Sequence, residues 1–417
     1  MTNAPAVLLI GGTDSHLEYV KKQGVRVVLL QHPDKINAYQ TRTADVLLMV
    51  DYTDWDTVLP YAETARAVHG CTKVLSLTEG GLSNAARLND HFGWSDGHRY
   101  EVSRRMRDKL LMRTHLEANG GAGVAFAPVT DFASLAAFGE RAGYPFIVKP
   151  TDTTAGFGLL KAAGPEDLPR VWQRIEGLLG QRTDRGSTLF KVTGFLAEAH
   201  IPGPEFSVET FSFGGRHVVL AVTEKLTDDE HFAELGHALP ARLDPDRRAA
   251  LTGAVTSFLT VMGVTDGPGH TEIRLGTDRP VVVESHNRLG GGHIAELVEA
   301  AYGINMYAYA AGWPLGTVPE LLSEPVPAAA ACTRFVLRDP GTVTSVSGVE
   351  DVAARSDVLA VSVSVKPGDT VRPLRDNWDR IGFVAATAPD TDAAVALCED
   401  LAGRAIRVDV APQRGEG

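Results

Sequence analysis

Residues 6 to 110 alternate short apolar runs with amphipathic ones, and that rhythm limits this stretch to a parallel sheet flanked by helices. AVLLI, VRVVLL, ADVLLMV and KVLSL read as strands, with HLEYVKKQG, WDTVLPYAETARAV and LSNAARLNDHFG as helices among them. Gly11-Gly12 closes the first strand. It lacks the G-x-G-x-x-G spacing of a dinucleotide fingerprint, so it reads as a tight strand-to-helix turn, and a nicotinamide dehydrogenase is disfavoured.

From Arg104 the pattern changes to one basic helix, RRMRDKLLMRTHLEANGG, stopped by Gly120-Gly121. GYPFIVKP is then a strand closed by Pro150, TDTTAGFG a glycine-bearing loop and PEDLPRVWQRIEGLLG an amphipathic helix. STLFKVTGFLAEAHI, EFSVETFSF and HVVLAVTEKL follow as strands, with a helix near AALTGAVTSFLTVMG. Past Gly303 come a helical stretch, Pro-rich EPVP, a β-rich tail and the helix DTDAAVALCEDLAG. A chain of 417 residues exceeds one ordinary core, and about three domains are expected. The expected class is mixed α/β and α+β: a parallel α/β unit over 1–110, two central units over 111–195 and 196–320, and a small β-rich domain over 321–417.

The segment HTEIRLGTDRPVVVESHNRLGGG, 270 to 292, reads as a hairpin. Pairing symmetrical about Asp278 sets Leu275 opposite Val281, Glu272 opposite Glu284 and His270 opposite His286. Opposed residues share a face with Cβ atoms roughly 5 Å apart, where two carboxylates repel unless a cation lies between them. A hard divalent ion such as Mg2+ suits them. By itself the segment also fits an exposed hairpin with a solvated acidic pair.

Composition excludes several classes. At 44% hydrophobic and 22% charged residues the chain is globular in character, and its apolar runs fall far short of the length that spans a bilayer. The N-terminus lacks a basic n-region, so a cytoplasmic protein without a membrane partner is expected. A net charge of −12 argues against nucleic acid, while local lysines still permit a small anionic ligand. Cys71, Cys332 and Cys398 are too few and too far apart for a disulfide framework or a CxxC metal site.

Lys149 ends an apolar strand and is followed by Thr151, Thr153, Thr154, Gly156 and Gly158. A glycine loop with hydroxyls folds over phosphates, and a lysine at a strand end serves as a point charge, although the order is not that of a Walker A loop and an ordinary turn also fits. Glu198 and Glu205 flank a Pro-Gly-Pro turn. Such an extended connection can pair its backbone with a purine edge, and the later carboxylate can accept from ribose hydroxyls.

In this order, and over nearly the full length, these segments resemble the ATP-grasp superfamily of carboxylate–amine ligases. The resemblance implies the ATP-grasp fold, with Lys109 and Lys149 as its nucleotide-contacting lysines and Thr154, Gly156, Phe157 and Gly158 in its phosphate-covering loop. Glu198, Ala199, Ile201 and Glu205 fall on the hinge pattern E-x-x-φ-x-G-x-E that meets adenine and ribose. Glu272 and Glu284 match the acidic ligands of Mg2+, two ions being implied and Mn2+ an alternative, and Arg288 matches the catalytic arginine. Where the family has Asn after the second acid, this chain has His286, with Asn287 displaced by one. Either Asn287 is the third ligand through a local bulge, or His286 contacts the metal or takes a substrate role.

HFAELGHALPA and HTEIRL resemble the L-amino acid ligases, which make dipeptides, and the tail GDTVRPLRDNWDRIGFVAATAP resembles their C-terminal domain. Glu234 and His237 occupy those enzymes' E-x-x-H pair. That implies an ammonium contact for Glu234 and a carboxylate or reacting-centre contact for His237. The glycines Gly290 to Gly292 let backbone N–H groups reach the intermediate, Gly291 and Gly292 being taken as the contacts, although a simple turn explains three glycines equally. The implied reaction joins two amino acids through an acyl phosphate, giving ADP and phosphate. Alternatives are a ligase or transformylase acting on a purine-pathway amine, a bicarbonate-using carboxylase, and a non-catalytic nucleotide-binding module. Amino acids are the implied partners, with a homodimer as a family prior.

Overall fold

The computed structural model describes residues 4–95, 99–121, 123–182, 191–228, 232–277 and 279–412. The first unit holds β1 (Ala6–Ile10), α1 (Asp14–Lys21), β2 (Arg26–Gln31), α2 (Ala38–Thr43), β3 (Val46–Met49), α3 (Trp55–His69), β4 (Cys71–Leu75) and α4 (Glu79–His91). Its strands pair parallel in the order β3-β2-β1-β4, and every residue of β1 is buried, as a sheet covered on both faces requires. A Cβ on Gly81 would stand 2.4 Å from Ser76 Oγ and 2.9 Å from the Ile10 carbonyl. Glycine there lets α4 begin flush against the strand ends, which carries Glu79 to the carboxyl edge of the sheet.

The single basic helix expected over 104–121 is two helices, α5 (Arg99–Arg107) and α6 (Lys109–Ala118). The Asp108 carboxylate accepts from the N–H groups of Leu110 and Leu111, both at 2.9 Å, and this N-cap restarts the chain. The next unit contains β5 (Phe126–Val129), α7 (Phe132–Ala142), β6 (Phe146–Pro150), β7 (Leu160–Ala162), α8 (Leu168–Leu178) and β8 (Phe195–Ala199), with an antiparallel sheet ordered β5-β8-β6-β7. Phe138, Phe146, Val171, Ile175 and Phe195 form its core.

The largest sheet is antiparallel and eight-stranded. It uses β9 (Glu205–Phe213), β10 (Arg216–Thr227), β11 (Glu234–Leu239), β12 (Gly267–Leu275) and β13 (Pro280–His286). α9 (Pro245–Met262) covers one face through Leu251, Val255, Phe258 and Leu259. On the other, α10 (Ile294–Tyr302) and α11 (Met306–Gly312) share a core with Phe211, Leu220 and the first unit's Leu17 and Val20. The sheet continues into the C-terminal segment, which supplies β14 (Ala330–Val336), β15 (Gly341–Ser347), α12 (Val349–Ala353), β16 (Val358–Val363), β17 (Thr370–Val371), β18 (Gly382–Ala388), α13 (Thr391–Asp400) and β19 (Arg407–Ala411). The order β13-β12-β9-β10-β11-β14-β18-β16 joins the two halves through β11 and β14, while β17-β15-β19 form a small separate sheet.

In the β12–β13 hairpin Glu272 faces Glu284 and His270 faces His286, as the symmetrical register requires. Nearer the turn the register slips: Ile273 faces Val282, and Leu275 faces Pro280 where Val281 was expected. The residue left over is Val283, a β-bulge that turns its carbonyl toward Arg113 Nη2 (3.3 Å) and Lys149 Nζ (3.4 Å). Asp278, the expected centre of symmetry, lies outside the described residues. Cys71, Cys332 and Cys398 are buried free thiols, and no described helix is long and apolar enough to cross a membrane.

Candidate active site

A cavity of about 970 Å³ opens where the first sheet's strand ends, the β6–β7 loop, the β12–β13 hairpin and the C-terminal segment meet. Lys149 ends β6, and Glu198 lies on the neighbouring strand β8. The Glu198 carboxylate is clamped between Lys149 Nζ (2.6 Å) and Arg113 Nε (2.5 Å). Burial disfavours its charge, yet Lys149 and Arg113 together hold the carboxyl below its usual range. Its side chain therefore fixes the lysine, and Ala199 and Ile201 on the same connection line the cavity. The connection turns at Gly203, φ +98°, where a Cβ would come within 2.0 Å of the Leu275 carbonyl. Glu205 beyond it meets Arg274 Nε at 3.0 Å and Lys225 Nζ at 2.9 Å.

The glycine loop presents Thr154, Gly156 and Phe157 to the cavity. Gly158 is not among the lining residues; its φ of +72° and the 2.9 Å from a built Cβ to Pro150 Cγ mark it as a turn position. Lys109, opening α6, donates to the Thr153 carbonyl (2.7 Å) and pairs with Glu284 Oε2 (2.9 Å), so it ties the loop to the hairpin.

Glu272 and Glu284 both line the cavity from one face of the hairpin. Burial and the neighbouring Glu284 charge oppose ionisation of Glu272, but Lys225 and His270 bring its carboxyl down to about 2. Burial likewise opposes Glu284, and Lys109 and His286 hold it well below the carboxylate range. Two opposed ionised oxygen-donor groups fit a hard divalent cation. Among the described residues no ready-made group of three or more His, Cys, Asp or Glu stands in metal-binding geometry, so the other donors of such an ion come from elsewhere. His286 faces the cavity, its Nε2 3.2 Å from Glu284 Oε1 and its Nδ1 3.1 Å from Glu79 Oε2. Asn287 is not among the lining residues. The bulge lies before Glu284 rather than after it, and so does not turn Asn287 onto this face.

Arg288 pairs through Nε with Glu79 and donates to the Leu289 carbonyl at 2.8 Å. Burial would raise the Glu79 carboxyl, but His286 and Arg288 take it well below its usual range. Glu234 on β11 meets Lys225 Nζ (2.8 Å), Asn377 Nδ2 (3.0 Å), Arg380 Nη1 (3.3 Å) and His237 Nε2 (3.5 Å). His237 is 1% exposed, with Nδ1 3.2 Å from the Gly292 carbonyl. Gly291 and Gly292 line the cavity, and a Cβ on Gly292 would stand 2.4 Å from His237 Cε1.

Sequence reading missed Glu79, Arg113, Lys225, Arg274, Asn377 and Arg380. Arg113 had a local signal, because it lies four residues after Lys109 on one helix face. Lys225 had another, as a lone cation in the β-branched run HVVLAVTEKL. It is the hub of the site, meeting Glu205, Glu234 and Glu272 at 2.9, 2.8 and 2.6 Å. Glu79, Arg274, Asn377 and Arg380 had none, since their partners are distant in sequence.

This fold, with lysines, a glycine loop and paired acids around one cavity, defines an ATP-grasp protein, and the ATP-grasp domain model matches residues 142–296. The chain thus carries an ATP-grasp domain and is an ATP-dependent carboxylate–amine ligase, and ATP-grasp ligases use ATP with a divalent metal. Its C-terminal part is similar to the L-amino acid ligases: the model described as L-amino acid ligase C-terminal domain 2 matches residues 334–411. The L-arginine-specific L-amino acid ligase of Bacillus subtilis is 25% identical over 72% of this chain and 70% of its own length. Dapdiamide A synthase of Enterobacter agglomerans is 23% identical over 75% and 74%. The crystal structure of the L-amino acid ligase from Bacillus licheniformis superposes with a TM-score of 0.82 at 21% identity, covering 99% of this chain and 100% of that one.

Proposed function

We propose that this protein joins two amino acids through an amide bond, converting ATP to ADP and phosphate. One observation carries the reading. A single cavity of about 970 Å³ is lined by the hinge and the glycine loop, by Glu272, Glu284 and Arg288, and by the ionic cluster around Glu234. It is large enough for a nucleotide and charged amino acids together.

In the first step a donor carboxylate oxygen forms a bond to the γ-phosphorus as the bond to ADP breaks, giving an acyl phosphate. In the second the acceptor amine attacks the carbonyl carbon, phosphate leaves and the amine gives up a proton. Lys109 and Lys149 hold the phosphates, with Thr154, Gly156 and Phe157 folded over them. Ala199 and Ile201 offer backbone to adenine, and Glu205 accepts from ribose. Glu272 and Glu284 would hold the divalent metal, two ions on this reading, and when bound it would supply positive charge against the negative charge on the phosphoryl oxygens. His286 orients Glu284 and Glu79. Arg288 steadies the oxyanion, assisted by the N–H groups of Gly291 and Gly292.

A screen of phosphate release over amino-acid pairs, with product mass, tests the reading. A dipeptide formed in step with ADP supports it; phosphate release that depends on a purine-pathway amine or on bicarbonate, with no dipeptide, overturns it.

A further inference from the structure

We infer that Arg380, presented by the C-terminal segment, anchors the free carboxylate of the amine substrate; this rests on the ligase reading above. Joining two amino acids consumes one carboxylate and leaves the other charged throughout. The donor's becomes the acyl phosphate. The acceptor's needs a cation that is not committed to phosphates and still has N–H groups free of the protein's own acids. Lys109 serves the glycine loop and Glu284, and Lys149 serves Glu198. Lys225 is enclosed by three acids, Arg274 holds the hinge at Glu205 and the Ile201 carbonyl, and Arg288 pairs with Glu79.

Arg380 differs. Its guanidinium carbon lies 3.6 Å from the centroid of the Phe335 ring. Nε donates to the Asn377 carbonyl at 2.8 Å, and Nη1 points to the carbonyl and Oε2 of Glu234 at 3.4 and 3.3 Å. Among the described residues Nη2 has no hydrogen-bond acceptor, and the side chain, 18% exposed, lines the cavity. A planar fork held by a ring, two carbonyls and one Glu234 oxygen, with N–H groups to spare, matches a planar carboxylate. The position suits an acceptor as well. Arg380 meets Glu234 at the oxygen opposite the one that Lys225 holds, and Phe335 lies edge-on to His237, 5.6 Å away, beside Gly292. A carboxylate anchored there keeps its amine two bonds away, at the glycine-turn end.

The test separates donor from acceptor. Hydroxylamine traps the acyl phosphate as a hydroxamate and so reads the donor alone; glycine and L-alanine, against glycinamide and L-alaninamide, then read the acceptor's carboxylate. With the donor that gives the strongest hydroxamate signal, Arg380→Met and Arg380→Lys are expected to raise KM for glycine and L-alanine about 30-fold or more. The ratio of variant to wild-type KM should fall to near one with the amides, and the donor KM in the hydroxamate assay should stay near wild type. Arg380→Lys retains the charge and loses the fork, so it answers the question if Arg380→Met does not fold. Equal losses with acids and amides, or a raised donor KM, overturn the inference. Absence of hydroxamate from the wild type with every amino acid overturns the ligase reading itself.

Discussion

On the proposed reading Arg288 acts on the chemistry, while two histidines act on stability. Arg288→Ala is expected to lower kcat about 100-fold or more, the scale of a lost oxyanion donor, with a smaller change in KM for ATP. Steady-state kinetics check it, and near wild-type turnover would remove the arginine from the mechanism. Two histidines should shape stability in opposite directions in the metal-free protein. Burial disfavours charged His270, but Glu209 and Glu272 raise it from 6.5 to about 9. Its contribution, about 3 kcal/mol by linkage, is whole below pH 6.5 and is lost as pH rises through 9. His16, lowered by burial from 6.5 to about 4, stays neutral in the fold, so its share is whole above pH 6.5 and is lost as pH falls toward 4. Urea midpoints from pH 4 to 10 read both limbs. His270→Gln should flatten the alkaline one and His16→Gln the acid one. The Glu272 and Glu284 pairing was legible in sequence because a hairpin is a local object. The Glu79 contact to Arg288 spans 209 positions, and no local pattern announces it.

At the scale of elements, the α5–α6 break and the Val283 bulge place side chains that a regular helix or ladder would misdirect. Asp108 was legible as one residue of a basic helix. Its role as a cap depends on competition between its carboxylate and the helix's own hydrogen bonds, which composition does not resolve. Asp108→Ala is expected to cost about 1 kcal/mol of stability and to raise KM for ATP, because Lys109 is the first residue of the restarted helix. Chemical denaturation and ATP titration measure the two effects. A stability loss with unchanged KM would show that the cap holds the helix without positioning the lysine. The bulge was hidden for another reason. The run VVVE offers three equivalent valines, and only the carbonyl's acceptance from Arg113 and Lys149 marks Val283 as the extra residue.

Across the whole molecule, the parallel first unit was legible from its alternation and the β-rich tail from its composition. The continuity of the large sheet was not, since β11 and β14 are separated by the 90 residues between Leu239 and Ala330. That continuity has a measurable consequence. A chain ended at Ala328 would leave β11 paired with β10 alone, uncovering Ala238 and Leu239 and removing Asn377 and Arg380 from Glu234. An unpaired, apolar strand edge invites association with other chains. The shortened protein is expected to elute as aggregate on size exclusion with no ligase activity; a stable active monomer would show that the C-terminal segment is dispensable.

Lys225 carries one charge and divides it among Glu205 by the hinge, Glu272 on the hairpin and Glu234 on β11. A ligand that draws one of these acids away alters what the ammonium gives the other two. On the proposed reading, nucleotide at Glu205, metal at Glu272 and amino acid at Glu234 would compete for a shared counterion, and their affinities would not be independent constants. Thermodynamics makes the influence mutual: by whatever factor nucleotide changes the grip on an amino acid, that amino acid changes the grip on nucleotide. One buried lysine thereby gives the site a memory of what has already arrived.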